Sequence, residues 1–143
     1  MCKFLQSFLR NPNSKMKKLN ILLILLFVFA ATASINSQVT NKRIKFKKGE
    51  SSATVEGAVI RGESDSYLIG ANRDQYMVVS IMSIENNAIF WIVDRETGYY
   101  LPGAGEYDDA MRWEGYLPSS GDYKIIVGGT RGNTEYTLKV FIE

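Results

Sequence analysis

Histidine is absent from the sequence, and the only cysteine is Cys2, at its extreme N-terminal end. These two gaps exclude more than any residue present asserts. Without an imidazole there is no Ser-His-Asp or Cys-His nucleophile system, and without clustered His and Cys there is no zinc site of the usual kind. Thiol redox chemistry and intrachain disulfides fall with them. A third absence concerns helices: beyond residue 33 no stretch carries apolar residues at the helical i, i+3, i+4 spacing. Internal repeats and a dividing linker are missing as well.

The one long hydrophobic run lies near the start. Lys15, Lys17 and Lys18 precede eleven unbroken apolar residues at 21–31, which end in Ala31-Thr32-Ala33. A membrane-spanning helix needs roughly 20 such residues. A basic segment, a short apolar segment and an Ala-x-Ala site instead specify a secretory signal peptide over residues 1–33. Cleavage is expected after Ala33, with Ser37 as the alternative, and Met16 is a candidate start. Cys2 is far from any lipoprotein-type site, so no lipid anchor and no membrane attachment are expected after cleavage. All 15 acidic residues follow Ala33, whereas five of the 17 basic ones precede it, which leaves 12 against 15 and a net charge of −3. The basic balance of the full chain therefore belongs to the export signal and gives no ground for nucleic-acid binding.

What remains, residues 34–143, is long enough for one independent domain. Short β-branched and aromatic runs recur between Gly, Asn, Asp and Pro turn signals. Strands are expected at 41–48, 53–60, 66–71, 75–84, 88–93, 99–101, 110–116, 123–127 and 134–142. The first alternates Arg43, Lys45 and Lys47 with Ile44 and Phe46. Five positive charges in eight residues suit a sheet edge, where lysine discourages pairing with other chains, or an anionic partner. Residues 75–84 are almost wholly apolar and are expected to form a central strand. The fold class is all-β: a single antiparallel β-sandwich, jelly-roll-like, of about eight strands, preceded by a signal-peptide helix.

The best-defined stretch is 113–127, Trp-Glu-Gly-Tyr-Leu-Pro-Ser-Ser-Gly-Asp-Tyr-Lys-Ile-Ile-Val. Pro118 pushes Leu117 towards extended geometry, the next four residues turn, and Tyr123, Ile125 and Val127 share one strand face. Tyr123 is expected to be buried, with its hydroxyl paired to backbone, like the corner tyrosine of Greek-key sandwiches.

No catalytic set emerges, so the chain is expected not to be an enzyme and to need no cofactor. Glu106, Asp108 and Asp109, near Asp94 and Glu96, are expected to be solvated loop acids, with calcium as the weaker alternative. Their spacing lacks the alternation of a calcium loop. The loop Gly128-Gly129-Thr130-Arg131-Gly132 lacks the Lys-Ser/Thr ending and the following helix of a phosphate loop. It is expected to be a hairpin that exposes Arg131, a guanidinium able to grip a carboxylate. Trp91, Tyr99, Tyr100 and Tyr107 cluster in sequence around two loops near Arg95. If Phe90 and Ile92 face the core, Trp91 is partly exposed and able to anchor a partner. If both faces are covered, Trp91 belongs to the core.

The run from Ile44 to Gly57, then Asp65-Ser66-Tyr67, Gln75, Val79-Ser80-Ile81 and residues 113–127, resembles the bacterial inhibitors of g-type (goose-type) lysozyme. It resembles more loosely the pre-peptidase C-terminal domains of secreted proteases. The Leu-Pro-x-Ser-Gly-x-Tyr motif marks the fold more than any one activity. The resemblance implies a compact β-sandwich in the periplasm or outside the cell, whose loops enter the lysozyme substrate cleft. It also implies that arginines of the loop before the last strand contribute, and Arg131 is the residue here that matches. A non-catalytic binding module follows, with Arg131, Arg95, Trp91, Tyr99 and Tyr100 as candidate partner-binding residues. The partner is a g-type lysozyme or, as the alternative, a cell-wall glycan or matrix polymer, the latter with or without calcium.

Overall fold

The computed structural model describes residues 41–143. The expected signal peptide, with its candidate cleavage sites, Met16 and Cys2, lies outside the described residues.

Eight strands follow one another: β1 (Asn41–Arg43), β2 (Ser52–Val59), β3 (Asp65–Ala71), β4 (Tyr76–Ser83), β5 (Ala88–Asp94), β6 (Arg112–Tyr116), β7 (Gly121–Gly129) and β8 (Thr134–Ile142). They make two four-stranded sheets, one ordered β1-β3-β7-β5 and the other β2-β8-β4-β6. Every pairing is antiparallel except β1 with β3, which is parallel. The expected all-β sandwich is therefore present, with one parallel edge.

Strict alternation explains why the sheets stack. In β7 and β8, Tyr123, Ile125, Val127, Leu138 and Val140 are wholly buried, while Lys124 and Lys139 point away. β4 is central as expected, yet it buries only Met77, Val79 and Ile81 and leaves Met82 exposed, because one sheet face is open. Burial at roughly 25 cal/mol per Å² of apolar surface is the main force holding the two faces together.

Two expected strands are cut short. The first stops at Arg43; one more ladder bond, from the Ile44 N–H to the Leu68 carbonyl at 2.8 Å, follows it. Beyond that the chain leaves its sheet to reach β2 in the other one, with Ile44 buried and Phe46 packed on the core. At 99–101 there is an isolated bridge, Val93 with Tyr100, in place of a strand. Gly98 and Gly103 both have positive φ and Pro102 offers no N–H, so a longer ladder cannot form. The segment still serves the sheet: the Leu101 N–H donates to Ile92, and Ile92 and Phe90 donate to Ala104 and Ala110. The 99–110 loop thereby covers the outer edge of β5.

A polar bridge links the sheets. Tyr136 on β8 donates to Asp65 on β3 at 2.5 Å, so the Tyr67 hydroxyl, 2.6 Å away, donates to Tyr136. Burial first, then the bond to Asp65, pushes the Tyr136 pKa far up and keeps the phenol neutral. Gly57 is required beneath it, because a Cβ there would sit 2.4 Å from the Tyr136 hydroxyl.

Candidate functional site

The register of β5 on β7 places Ala88 opposite Gly129 and Asp94 opposite Tyr123. The loops following each strand end therefore belong to opposite ends of the sandwich. Seven residues at ~3.3 Å each put these ends roughly 20 Å apart.

At the first end three connections converge: residues 60–64 after β2, 84–87 after β4 and 130–133 after β7. Asn87 organises them. It is 2% exposed, and its amide donates to the carbonyls of Arg131 at 3.0 Å and Asn133 at 3.1 Å. Its Oδ1 accepts from the Thr134 hydroxyl at 2.7 Å, and its own carbonyl accepts from the Thr130 N–H at 2.9 Å. Asn133 in turn accepts from the Arg61 N–H at 3.0 Å. The Arg131 guanidinium reaches the Glu85 carbonyl at 3.1 Å yet remains exposed. Beside it Ile60 and Ile84 are 60% and 94% exposed, and a groove of about 410 Å³ runs between them. Bracing of this kind fixes the backbone that carries the arginine, which reduces the entropy lost when a partner binds.

The second end holds Arg95 and Tyr99, both exposed on the hairpin after β5. Asp94, 1% exposed, secures this hairpin by accepting from the Glu96 N–H at 2.9 Å and from the Ser119 hydroxyl at 2.7 Å. The Tyr123 hydroxyl donates to the Ser119 carbonyl at 2.7 Å and accepts from its N–H at 3.1 Å. The corner tyrosine is thus buried and paired with backbone, as its position in the motif predicts. Arg43 grips Asp122 through both oxygens, at 3.0 and 2.5 Å, and the Arg95 N–H donates to the Asp122 carbonyl.

The candidate residues therefore divide. Arg95 and Tyr99 share one end, Tyr100 bridges to Val93 beside them, and Arg131 stands alone at the other. Trp91 lies between, on the outer face of its sheet. Phe90 and Ile92 are wholly buried and Trp91 is half-buried, so Trp91 stands outside the core. Its ring lies over Gly128, where a Cβ would come within 2.9 Å. Glu106, Asp108 and Asp109 are exposed on the loop along β5, and Asp108 is occupied in accepting from the Gly105 N–H at 2.7 Å. Among the described residues no three acids are grouped to hold a metal ion.

Sequence reasoning missed Asn87, Ile60 and Ile84. Asn86-Asn87 carries an ordinary turn signal, and nothing local reveals that the second asparagine reaches a loop more than forty residues away. The two isoleucines sit at strand ends, where alternation alone cannot tell whether a neighbouring loop covers them.

No family profile and no curated sequence matches the chain. Solved structures do. PliG of Aeromonas hydrophila, a periplasmic lysozyme inhibitor of g-type lysozyme, is 30% identical, with a TM-score of 0.61 over 73% of this chain and 96% of that one. PliG of Salmonella Typhimurium, described in the same words, is 24% identical with a TM-score of 0.57 over 72% and 97%. The pre-peptidase C-terminal domain of a Bacillus anthracis collagenase shares the fold at 18% identity, with a TM-score of 0.52 over 70% and 93%. The first two are inhibitors rather than enzymes, in keeping with a chain that lacks a catalytic set. With nearly all of the Aeromonas protein covered at that identity, on the same pair of sheets, this chain belongs to the family of PliG inhibitors of g-type lysozyme.

Proposed function

We propose that the protein is exported to the periplasm and there inhibits a g-type lysozyme, working as a steric plug. The braced Arg131 loop is the observation that carries this reading. It is a narrow projection at the end of a rigid sandwich, tipped by a guanidinium and flanked by Ile60 and Ile84. Family membership supports the choice of partner. A lysozyme cleft carries acidic catalytic groups, and a guanidinium is suited to pair with a carboxylate through two parallel bonds. The exposed isoleucines supply apolar contact around that charge, the arrangement of an interface anchor and its water-excluding rim. Arg61, exposed on the adjoining turn, adds a second positive charge at this end.

Lysis of bacterial cells by a g-type lysozyme, with and without stoichiometric purified protein, tests the proposal. Lysis should be suppressed, and Arg131→Ala should weaken the suppression by about ten- to a hundredfold, the span of an interface hot spot. Full lysis at micromolar protein would overturn the reading.

A further inference from the structure

The outer face of the β2-β8-β4-β6 sheet lies apart from the Arg131 end, and register sets its side chains in rows. One row crosses four strands as Arg112, Ser80, Lys139 and Thr54. The next is Glu114, Val78, Phe141 and Ser52. Beyond it Tyr116 faces Tyr76, their rings edge-on at 5.1 Å.

Between the first two rows runs an open groove of about 340 Å³, with Val78 and Phe141 as an apolar floor and Lys139 and Arg112 as charged flanks. A second, more polar groove of about 310 Å³ shares Ser52 and continues to Lys45 and Lys47. Those two lysines face outward because Ile44 and Phe46, between them, are drawn onto the core. Adjacent strands lie ~4.8 Å apart, so cations two strands apart, Arg112 and Lys139, stand about 10 Å from one another. Among the described residues, Arg112 pairs with Glu114 at 2.8 Å, and Lys45, Lys47 and Lys139 have no ion pair. Glu50 lies in the second groove and Glu56 is two residues along β2 from Thr54. The two grooves thus carry four cations against three nearby carboxylates, Glu114, Glu50 and Glu56, a small local positive excess on a domain whose own balance is negative.

We propose that this face binds a linear acidic polysaccharide. Carboxylates spaced along the chain meet Arg112, Lys139 and then Lys45 and Lys47, while sugar hydroxyls meet Ser52, Thr54 and Ser80. The apolar faces of the rings rest on Val78 and Phe141, and the Tyr76–Tyr116 pair extends this floor at one side. Val78 and Phe141 are half-buried in the floor of the groove, and the apolar side chains that protrude on this face, Met82 and Tyr116, stand at its margins rather than along it, which suits a chain lying in the groove better than an anionic membrane. The open ends of the groove suit the middle of a chain rather than its terminus.

Electrophoresis of the purified protein through gels containing alginate, a polyuronate, tests the idea, with neutral dextran gels and sedimentation with phosphatidylglycerol vesicles as the other arms. Retardation is expected in alginate only, and should fade as salt rises. The double variants R112Q/K139Q and K45Q/K47Q should each weaken it about fivefold or more, since each exposed cation contributes a factor of roughly two to five. Both pairs are exposed, and unchanged melting curves would show that each variant folds. Arg131→Ala should leave retardation intact, which separates this face from the inhibitory end. Free migration in alginate, equal retardation in dextran, equal affinity for the vesicles, or indifference to both double variants would each overturn the proposal.

Discussion

Asp94 is the residue on which the Arg95 end depends. Burial alone pushes its pKa up, but hydrogen bonds from the Ser119 hydroxyl and from Glu96 and Thr97 more than offset this and hold it below the ordinary 3.8. A carboxylate whose folded-state pKa is depressed stabilises the fold fully above the unfolded-state value. That contribution is lost as the pH falls from there through the lower folded-state value. Asp122 acts in the same direction, because the Arg43 guanidinium bound to it lowers its pKa. Urea denaturation should therefore show level stability from pH 7 down to about pH 5 and a progressive drop below that, and Asp94→Asn should flatten part of that drop. At neutral pH the same substitution should cost about 1–3 kcal/mol, the range for a buried polar group that loses its partners. Tyr123→Phe removes only the hydroxyl that closes the turn at Ser119, at an expected cost of about 1–2 kcal/mol in the same measurement. No change in the urea midpoint would mean that the ring alone, by packing, holds the corner.

At the scale of elements, the 130–133 loop is held by β4–β5 rather than by its own turn. Truncating Asn87 to alanine removes two donors and an acceptor from a buried site and leaves the carbonyls of Arg131 and Asn133 unpaired. The loss should be about 2–4 kcal/mol, with amide exchange in 130–133 speeding up before the sheets open. Gly57→Ala tests the bridge between the sheets. Its new methyl would drive Tyr136 off Asp65 and Tyr67, and should cost about 1–3 kcal/mol in urea denaturation. These two positions also mark how far the sequence was legible. Strands such as 134–142 and the 113–127 turn could be read because period-2 burial and turn chemistry are local signals. The division of the strands between two sheets, the parallel edge of β1 and the pairing of Asn87 with a distant loop depend on contacts far apart in the chain. No local pattern encodes those. That Arg131 is an exposed guanidinium on a hairpin loop was legible; what braces that loop was not.

At the scale of the molecule, the two ends and the open sheet face are separate surfaces on one rigid core. Arg131 belongs to one end, Tyr123 and Asp94 to the other, and roughly 20 Å of packed sheet lies between them. Residues this far apart with no shared partners act additively, within about 0.5 kcal/mol. Stability and inhibition should therefore come apart cleanly. Arg131→Ala removes one exposed side chain and a single bond to the Glu85 carbonyl, so its melting temperature should barely move while inhibition of lysis falls. Tyr123→Phe should do the reverse, with a lower melting temperature and unchanged stoichiometric inhibition at temperatures where the variant is folded. The double variant should show both losses at their separate sizes. Thermal melts and lysis assays on the four proteins check this. Weaker inhibition by folded Tyr123→Phe would mean that the far end of the sandwich also touches the enzyme, and the steric plug would have to be redrawn to include Arg95 and Tyr99.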